Sequence, residues 1–211
     1  MYLLTETASP FALERWAAFF ANFGQFAKGF FYTLGISIGA LIVALLLGLI
    51  FGAMSSTHNK VLRGISRVYV EIFQNTPLLV QFVVVFYGIS ILTDGHVMIP
   101  ISLTAILCVG VYTGAYISEI IRTGIEAVPK GQTEAALSQG FTYADTMRII
   151  ILPQAVRTIL PPLTNQVVNL IKNTSTVAII SGADIMFTAK AWAYDTTNYV
   201  PAFAGAAFLY L

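Results

Sequence analysis

One long run of the sequence, residues 30–54, is apolar and contains no charged side chain. Roughly 20 mainly apolar residues in a helix cross a bilayer, so this run is long enough to span a membrane. Charged residues make up only 10% of the 211 residues, whereas an ordinary soluble domain carries about 25%. The chain is therefore predicted to be one all-helical membrane domain without a separate soluble domain.

Four further segments are predicted to enter the membrane. Residues 68–92 hold one acid near their start, and residues 101–121 hold one at their end. A fourth segment covers about residues 155–180, and a fifth begins near residue 199. Because this last run stops after about 13 residues, too few to cross, we expect five spans with the last one truncated.

Basic residues are concentrated in the connection between spans one and two and in the connection between spans three and four. These residues are Lys60, Arg63, Arg67, Arg122, Lys130 and Arg148. The other two connections hold one basic residue between them, Lys190. Short cytoplasmic loops are enriched in Lys and Arg, so the first two connections are predicted to face the cytoplasm and the N-terminus to lie outside.

Aromatic residues recur near helical spacing in residues 11–27, which indicates a helix ahead of the first span. We assign residues 1–27 to an N-terminal interfacial helix on the extracellular side and residues 28–211 to the transmembrane domain. An extension of span one is an equal alternative. Within the spans, glycines four residues apart predict close helix packing; these are Gly35, Gly39, Gly48, Gly52, Gly110 and Gly114.

A proline interrupts the second span at Pro77, directly after Asn75 and Thr76. Proline removes a backbone hydrogen bond and disfavours helical geometry at the residue before it. Freed backbone groups inside a bilayer must be buried in protein or line a watery cavity. We therefore predict a break in the helix that lines a solute path, with Gln81 one turn later. A kink whose polar neighbours bond to adjacent helices is the alternative.

A second polar element lies in span four. Its side chains follow helical spacing and form an overlapping stripe; they are Asn165, Gln166, Asn169, Lys172, Asn173 and Thr176. Such a stripe does not suit a lipid-facing surface, and Lys172 is a possible intramembrane charge facing a cavity. Interhelical hydrogen bonds and snorkelling of Lys172 to the outer surface are the alternatives.

Three further charges lie near the predicted membrane boundary. Glu71 follows Arg67 by four residues, so a surface ion pair and a ligand role are both open. Glu119 and Arg122 are predicted to be structural.

The net charge of +1 gives no basic face for a nucleic-acid partner.

The connection before span four contains a short amphipathic pattern at residues 131–139, ended by Gly140. Exposed between two spans, this helix is suited to contact a cytoplasmic partner. The residues Glu134-Ala135-Ala136, then Gly140, then Leu152-Pro153 after two isoleucines resemble the EAA signature of membrane subunits of ABC importers. Residues 75–81, NTPLLVQ, and residues 119–136 resemble the polar-amino-acid permeases of that family, similar to histidine, glutamine and arginine permeases.

The resemblance implies a five-span type I permease in a bacterial plasma membrane, paired with an identical or homologous permease. It also implies a binding protein outside and ATPase subunits docked on the EAA loop, about residues 122–153. Glu134, Ala135, Ala136 and Gly140 take the docking role, with Ala and Gly allowing close approach. The sequence contains no G-x-x-x-x-G-K-[ST] loop, so ATP and Mg²⁺ are expected on the partner, with no catalytic residue, metal or cofactor in this chain.

The resemblance also bears on the substrate. Gln74 stands where family members usually have Arg, and Gln166 and Leu78 stand where permeases for basic amino acids can carry an acid. The charged side chain of a bound basic amino acid would then lack a carboxylate partner. We therefore expect a neutral or acidic substrate such as glutamine, glutamate or cystine. The predicted substrate-binding residues are Asn75, Thr76, Leu78, Gln81, Gln166, Asn169 and Asn173.

Two other functions remain open from the sequence. A secondary transporter could use an ion gradient through Glu71 or Lys172, although it would leave the EAA loop unexplained. A non-transporting membrane scaffold would leave the polar stripe of span four unexplained.

Overall fold

The computed structural model describes residues 9–211, and every regular element in that range is helical. The first elements are α1 (Leu13–Ala21), α2 (Phe23–Ser55), α3 (Lys60–Asn75), α4 (Leu78–Val83), a π-helical turn (Val84–Gly88) and α5 (Ile89–Leu92). They are followed by α6 (Ile101–Glu126), α7 (Lys130–Ser138), α8 (Tyr143–Asp145), a π-helical turn (Thr146–Ile151), α9 (Leu152–Asn173), a 3-10 segment (Thr174–Ile180), α10 (Ile185–Thr196) and α11 (Tyr199–Tyr210). The all-α prediction is confirmed for this range; the first eight residues of the predicted N-terminal segment lie outside it.

Two of the described helices, α2 and α6, are long and apolar enough to cross a membrane. The bent pair Lys60–Asn75 and Leu78–Leu92 would add a third span, and α11 is apolar but shorter. These assignments rest on length and composition alone. The expected number of five spans therefore stays a prediction.

Two segments predicted to connect spans are helical. α3 begins at Lys60, eight residues before the predicted span, because Asn59 caps it. The Asn59 Oδ1 atom accepts hydrogen bonds from the backbone N–H of Val61 at 2.9 Å and of Leu62 at 3.3 Å. α10 occupies much of residues 181–198, since Asp184 caps its first turn in the same way. Hydropathy and charge alone missed both capping residues.

The described chain divides into two compact units. Unit one comprises residues 9–38, 82–106 and 171–211, and unit two comprises residues 39–81 and 107–170. The two are described separately below.

Unit one is centred on an aromatic cluster that joins α1, the start of α2 and α10. The ring centroids of Phe19 and Phe26 lie 4.8 Å apart, and those of Phe19 and Trp192 lie 6.0 Å apart. Phe19 belongs to α1 and Phe26 to α2. The aromatic segment thus contributes both a separate helix and an extension of the first span, while the outer-surface position of α1 stays a prediction.

Two polar side chains hold the C-terminal elements of unit one. The Arg15 Nη1 atom donates to the Thr197 carbonyl at 2.8 Å and to Asn198 Oδ1 at 3.0 Å. Asp184, fully buried, accepts from the Phe187 N–H at 2.9 Å and from the Tyr210 hydroxyl at 2.9 Å. Arg15 therefore ties α1 to the turn between α10 and α11, and Asp184 ties α10 to α11.

Unit two depends on close contact between α2 and α6. A Cβ atom on Gly48 would lie 2.4 Å from Ile117 Cγ2, and one on Gly110 would lie 2.7 Å from Val43 Cβ. Real Cβ contacts are not that short, so each position requires glycine. The predicted packing role is confirmed at these glycines. At Gly35, no described atom lies within 4 Å of an added Cβ.

One face of α3 packs against α2 and α6 in unit two. The Tyr69 ring stacks on Phe51 with 4.0 Å between centroids and 19° between planes. Its hydroxyl donates to the Val111 carbonyl at 2.7 Å, and Ser66 Oγ donates to the Phe51 carbonyl at 2.7 Å. These contacts fix the rotation of α3 about its axis and so determine which side chains face away from the packed core.

Candidate functional site

The helix break predicted at Pro77 is confirmed. α3 ends at Asn75, Thr76 is extended with φ −103° and ψ 127°, and α4 begins at Leu78. The helices Lys60–Asn75 and Leu78–Leu92 are bent by 98°. This bend is far larger than a kink that keeps one helix axis, so the chain changes direction here.

Gln81 holds the break together. Its Nε2 atom donates to the Phe73 carbonyl and to the Thr76 carbonyl, both at 3.1 Å, and the residue is only 9% exposed. A side-chain amide has two N–H donors, and both are used on carbonyls that Pro77 leaves without a helical partner. Gln81 was predicted to bind substrate; its amide nitrogen holds the break, and the substrate role stays a prediction.

The polar residues before the proline fold back on the last turn of α3. Asn75 Nδ2 donates to the Glu71 carbonyl at 2.8 Å, and Thr76 Oγ1 donates to the Ile72 carbonyl at 2.8 Å. Gln74 Nε2 instead donates to the Ala115 carbonyl of α6 at 3.2 Å. The alternative of bonding to an adjacent helix therefore holds for Gln74, whereas Asn75 remains exposed.

Leu78, the remaining predicted residue at the break, is 9% exposed and belongs to the packed first turn of α4. The apolar side chain suits that position. An acid there would have to be paired or desolvated.

The polar stripe lies on the last turns of α9, after Pro161 and Pro162 within that helix. Asn165, Asn169 and Lys172 are exposed, and Gln166 and Asn173 are partly buried. α9 ends at Asn173, so Thr176 lies in the following 3-10 segment and leaves the predicted register. Within residues 9–211, no side-chain hydrogen bond joins the stripe to the break, and the substrate-binding role of both stays a prediction.

A cavity of about 700 Å³ in unit two runs along α3, and sequence reasoning did not predict it. Glu71, which lines it, accepts from Arg67 Nε at 2.7 Å, so the surface pair considered from the sequence is present. Arg122, on the α6 side, pairs with Glu119 and with Glu126. The recurrence of Lys60, Arg63 and Arg67 at helical spacing was the sequence feature that could have predicted a polar face of α3 beside this cavity.

The EAA segment forms the predicted helix, α7, with Glu134 and Ala135 exposed and Ala136 buried. The helix ends in a Schellman motif. The Gly140 N–H donates to the Leu137 carbonyl at 3.0 Å, and the Phe141 N–H donates to the Ala136 carbonyl at 3.1 Å. Gly140 has φ +87°, and no described atom lies within 4 Å of an added Cβ. Backbone conformation, rather than close approach within this chain, accounts for the glycine.

The chain after Gly140 begins a new helical turn and approaches the α2–α3 connection. Thr142 Oγ1 accepts from the Asp145 N–H at 3.2 Å and donates to its carboxylate at 2.5 Å. The Tyr143 ring contacts His58 edge-on, with 5.2 Å between centroids. The EAA segment is therefore joined to the turn that precedes α3. Within residues 9–211, no group of three or more His, Cys, Asp or Glu side chains could hold a metal ion.

A helical membrane-embedded chain with a broken span and an exposed EAA helix defines the membrane subunit of an importer. Residues 44–211 match the family described as binding-protein-dependent transport system inner membrane component. The chain belongs to this family. The predicted family and the type I importer permease fold are confirmed.

Relatives and solved structures agree with this assignment. The chain is 38% identical over 195 residues to a probable glutamine ABC transporter permease protein, GlnM, of Bacillus subtilis (strain 168), covering 91% of this chain and 88% of that protein. It is 35% identical over 187 residues to the glutamate/aspartate import permease protein GltJ of Escherichia coli (strain K12), covering 80% and 76%. A crystal structure of an amino acid ABC transporter with histidines matches with a TM-score of 0.85 at 32% identity, covering 92% and 90%. An inward-facing methionine transporter, MetNI, matches with a TM-score of 0.72 at 16% identity, covering 90% and 91%, which shows the fold alone.

Proposed function

We propose that the chain is the permease subunit of an ATP-driven importer for a polar amino acid, either neutral or acidic. The observation that carries this proposal is the 38% identity over 91% of the chain to a probable glutamine permease. Leu78 and Gln166 offer no carboxylate for a basic side chain. Glutamine, glutamate and cystine are the expected substrates.

The polar residues at the break and on the α9 stripe are proposed to contact the amino acid. Asn75, Gln166 and Asn169 carry amides, which both donate and accept hydrogen bonds. They can therefore bind the carboxylate, the ammonium group or the side-chain amide of a substrate. Thr76 and Asn173 have the same dual capacity through a hydroxyl and an amide. Gln81 acts on these contacts by holding the break.

The docking partner of the EAA segment is proposed to be a cytoplasmic ABC ATPase, which binds ATP and Mg²⁺. α7 supports this role because its exposed residues Glu134 and Ala135 are presented by a helix with a fixed end at Gly140. The remaining proposed partners are an amino-acid-binding protein outside and a second permease, identical or homologous. The proposed location is the bacterial inner membrane with the N-terminus outside.

Family membership favours the ATP-driven importer over the ion-gradient transporter that the sequence left open. The test is uptake of labelled amino acids into proteoliposomes that contain the full complex and lumenal ATP, with the binding protein outside. We expect uptake of glutamine, glutamate or cystine that stops without ATP and continues with an uncoupler. Uptake that survives ATP depletion and collapses with the uncoupler would contradict the proposal. Strong competition by arginine alone would contradict the substrate assignment.

A further inference from the structure

α3 presents a polar face to the cavity of unit two. The residues of this face recur at i, i+3, i+7, i+11 and i+14, and all line the cavity; they are Lys60, Arg63, Arg67, Glu71 and Gln74. The packed face, which contains Tyr69, points elsewhere on the helix. The polar residues are therefore placed in the cavity by the rotation that the Tyr69 and Ser66 contacts impose.

The cavity combines both signs of charge. Its basic lining residues are Lys60, Arg63, Arg67 and Arg122, and its acidic lining residues are Glu71, Glu119 and Glu126. Arg67 is paired with Glu71, and Arg122 with both other acids. In the part of the chain that the structure describes, Lys60 and Arg63 form no salt bridge. Among the described residues, the lining thus holds two cations that have no carboxylate partner, Lys60 and Arg63. It also holds three carboxylates that are paired with other arginines.

This charge arrangement fits a small zwitterion. The carboxylate of an amino acid would pair with Lys60 and Arg63, and Arg in particular can bind it through two parallel N–H donors. The ammonium group would find Glu71, whose carboxylate has acceptor capacity beyond its bond to Arg67. A phosphate would pair with the same two cations but would bring no ammonium group for the Glu71 carboxylate. The mixed lining therefore favours an amino acid over an inorganic anion.

The position of the cavity relates it to the EAA segment. His58 lines the cavity, and its ring contacts Tyr143, three residues after Gly140. The cavity therefore lies at the end of unit two that carries α7. If α7 docks an ATPase, this end is the side on which the transported amino acid is released.

We propose that this cavity is a second amino-acid site, distinct from the substrate contacts proposed for Asn75, Thr76 and the stripe, that binds the released product and restrains further transport. This inference rests on the proposed function. A ligand at Lys60 and Arg63 occupies the space beside His58 and so changes the position of the His58 ring against Tyr143. Product bound there biases the position of the EAA segment.

The test uses proteoliposomes with the full complex, the binding protein outside and ATP inside. The initial uptake of labelled L-glutamine is measured against unlabelled L-glutamine in the lumen. Each rate is divided by the same variant's rate with no amino acid in the lumen. We expect lumenal L-glutamine to inhibit, and the half-inhibiting concentration to rise at least about tenfold in the double variant Lys60→Gln/Arg63→Gln, as expected for the loss of hydrogen bonds to a charged group. Arg157→Gln, which removes an exposed cation of unit two outside the cavity, should inhibit like the unmodified chain.

Two lumenal probes test the chemistry. L-Glutaminamide, which lacks the carboxylate, should not inhibit. Inorganic phosphate that inhibits as strongly as L-glutamine would overturn the zwitterion assignment. Inhibition lost in Asn169→Ala but kept in the double variant would place the product on the stripe and overturn the second site.

The absence of any inhibition in the unmodified complex would also overturn the inference, while ATP-dependent uptake into empty vesicles would still support the proposed function. Failure of all ATP-dependent uptake into empty vesicles would instead overturn the proposed function itself.

Discussion

The side-chain amide of Gln81 donates a hydrogen bond to the backbone carbonyl of Phe73, eight residues earlier and on the other side of the proline break, at 3.1 Å. A second bond reaches Thr76. One side chain thus supplies donors to two carbonyls that the interrupted helix cannot satisfy. The break is a built element of the fold rather than a local irregularity.

Replacing Gln81 with Glu is expected to destabilise the chain. The substitution keeps the shape but removes both donors and sets a carboxylate against two carbonyls. Leaving such buried groups unpaired costs about 2 kcal/mol, or a fall of roughly 4–8 °C in the unfolding midpoint for a chain of this size. Thermal unfolding of the purified complex measures this fall in the midpoint. Gln154→Glu, which removes an exposed bond to the Ile150 carbonyl, is the matched control. An equal fall in both variants would contradict the role of Gln81.

Replacing Gly140 with Ala is expected to weaken coupling to the ATPase. A residue with a Cβ costs about 1–2 kcal/mol in the left-handed region, so the Schellman end of α7 should unwind in a fraction of molecules. The measurement is the ratio of amino acid transported to ATP hydrolysed, together with retention of the ATPase on purification. Gly131→Ala, near the start of α7 with open space around it, should behave like the unmodified chain. Normal coupling in the Gly140 variant would count against the docking assignment.

Replacing Asn169 with Ala is expected to weaken the response to substrate. Loss of a hydrogen bond to a charged group costs about 1.5–3 kcal/mol, or roughly 10-fold to 100-fold in affinity. We therefore expect the substrate-loaded binding protein to stimulate the ATPase with a half-saturating concentration raised by at least tenfold. Thr158→Ala, at an exposed position on the same helix, is the control. A response unchanged in Asn169→Ala would remove the stripe from the transport path.

Asp184 predicts a pH dependence of stability. Burial raises the pKa of this carboxyl above its usual value, although the hydrogen bonds from Phe187, Tyr210 and Met186 partly oppose the shift. A group whose folded pKa is raised contributes stability below its unfolded pKa and loses it as the pH rises through the folded pKa.

Relative to Asp184→Asn, the unmodified chain should therefore be most stable in acid and lose its advantage toward neutral pH. Unfolding midpoints of both proteins at pH 4 and pH 7 measure this difference. A difference that changes in the opposite direction would contradict the assigned shift. Asp184→Ala should be less stable than Asp184→Asn at both values, because it also removes a helix cap worth about 1 kcal/mol.

Sequence reasoning predicted the elements whose signal is local. Pro77 identified the break, and Gly140 identified the end of α7, because each residue restricts its own backbone. Glycine spacing predicted close helix packing by α2 and by α6, although not that these two helices pack against each other. The part of α3 that precedes the predicted span was missed, since Asn59 caps the helix through two side-chain hydrogen bonds that hydropathy does not register.

The candidate site was less predictable because it depends on which way each side chain turns. Gln81 and Asn75 are both amides near Pro77, yet one bonds across the break and the other to its own helix. Thr176 does not continue the stripe, because α9 ends at Asn173 and a tighter 3-10 segment follows it. The cavity along α3 required the rotation set by Tyr69, a contact between residues 42 positions apart.

The glycines between α2 and α6 carry a consequence for motion during transport. With Ile117 and Val43 seated directly over Gly48 and Gly110, neither helix can slide or roll past the other without steric collision. We therefore expect the packed parts of the two helices to move together. If transport requires the helices to change their arrangement, we expect the change at positions without such contacts, and the bend at Pro77, where among the described residues only side-chain bonds from Gln81 span the break, is one of them.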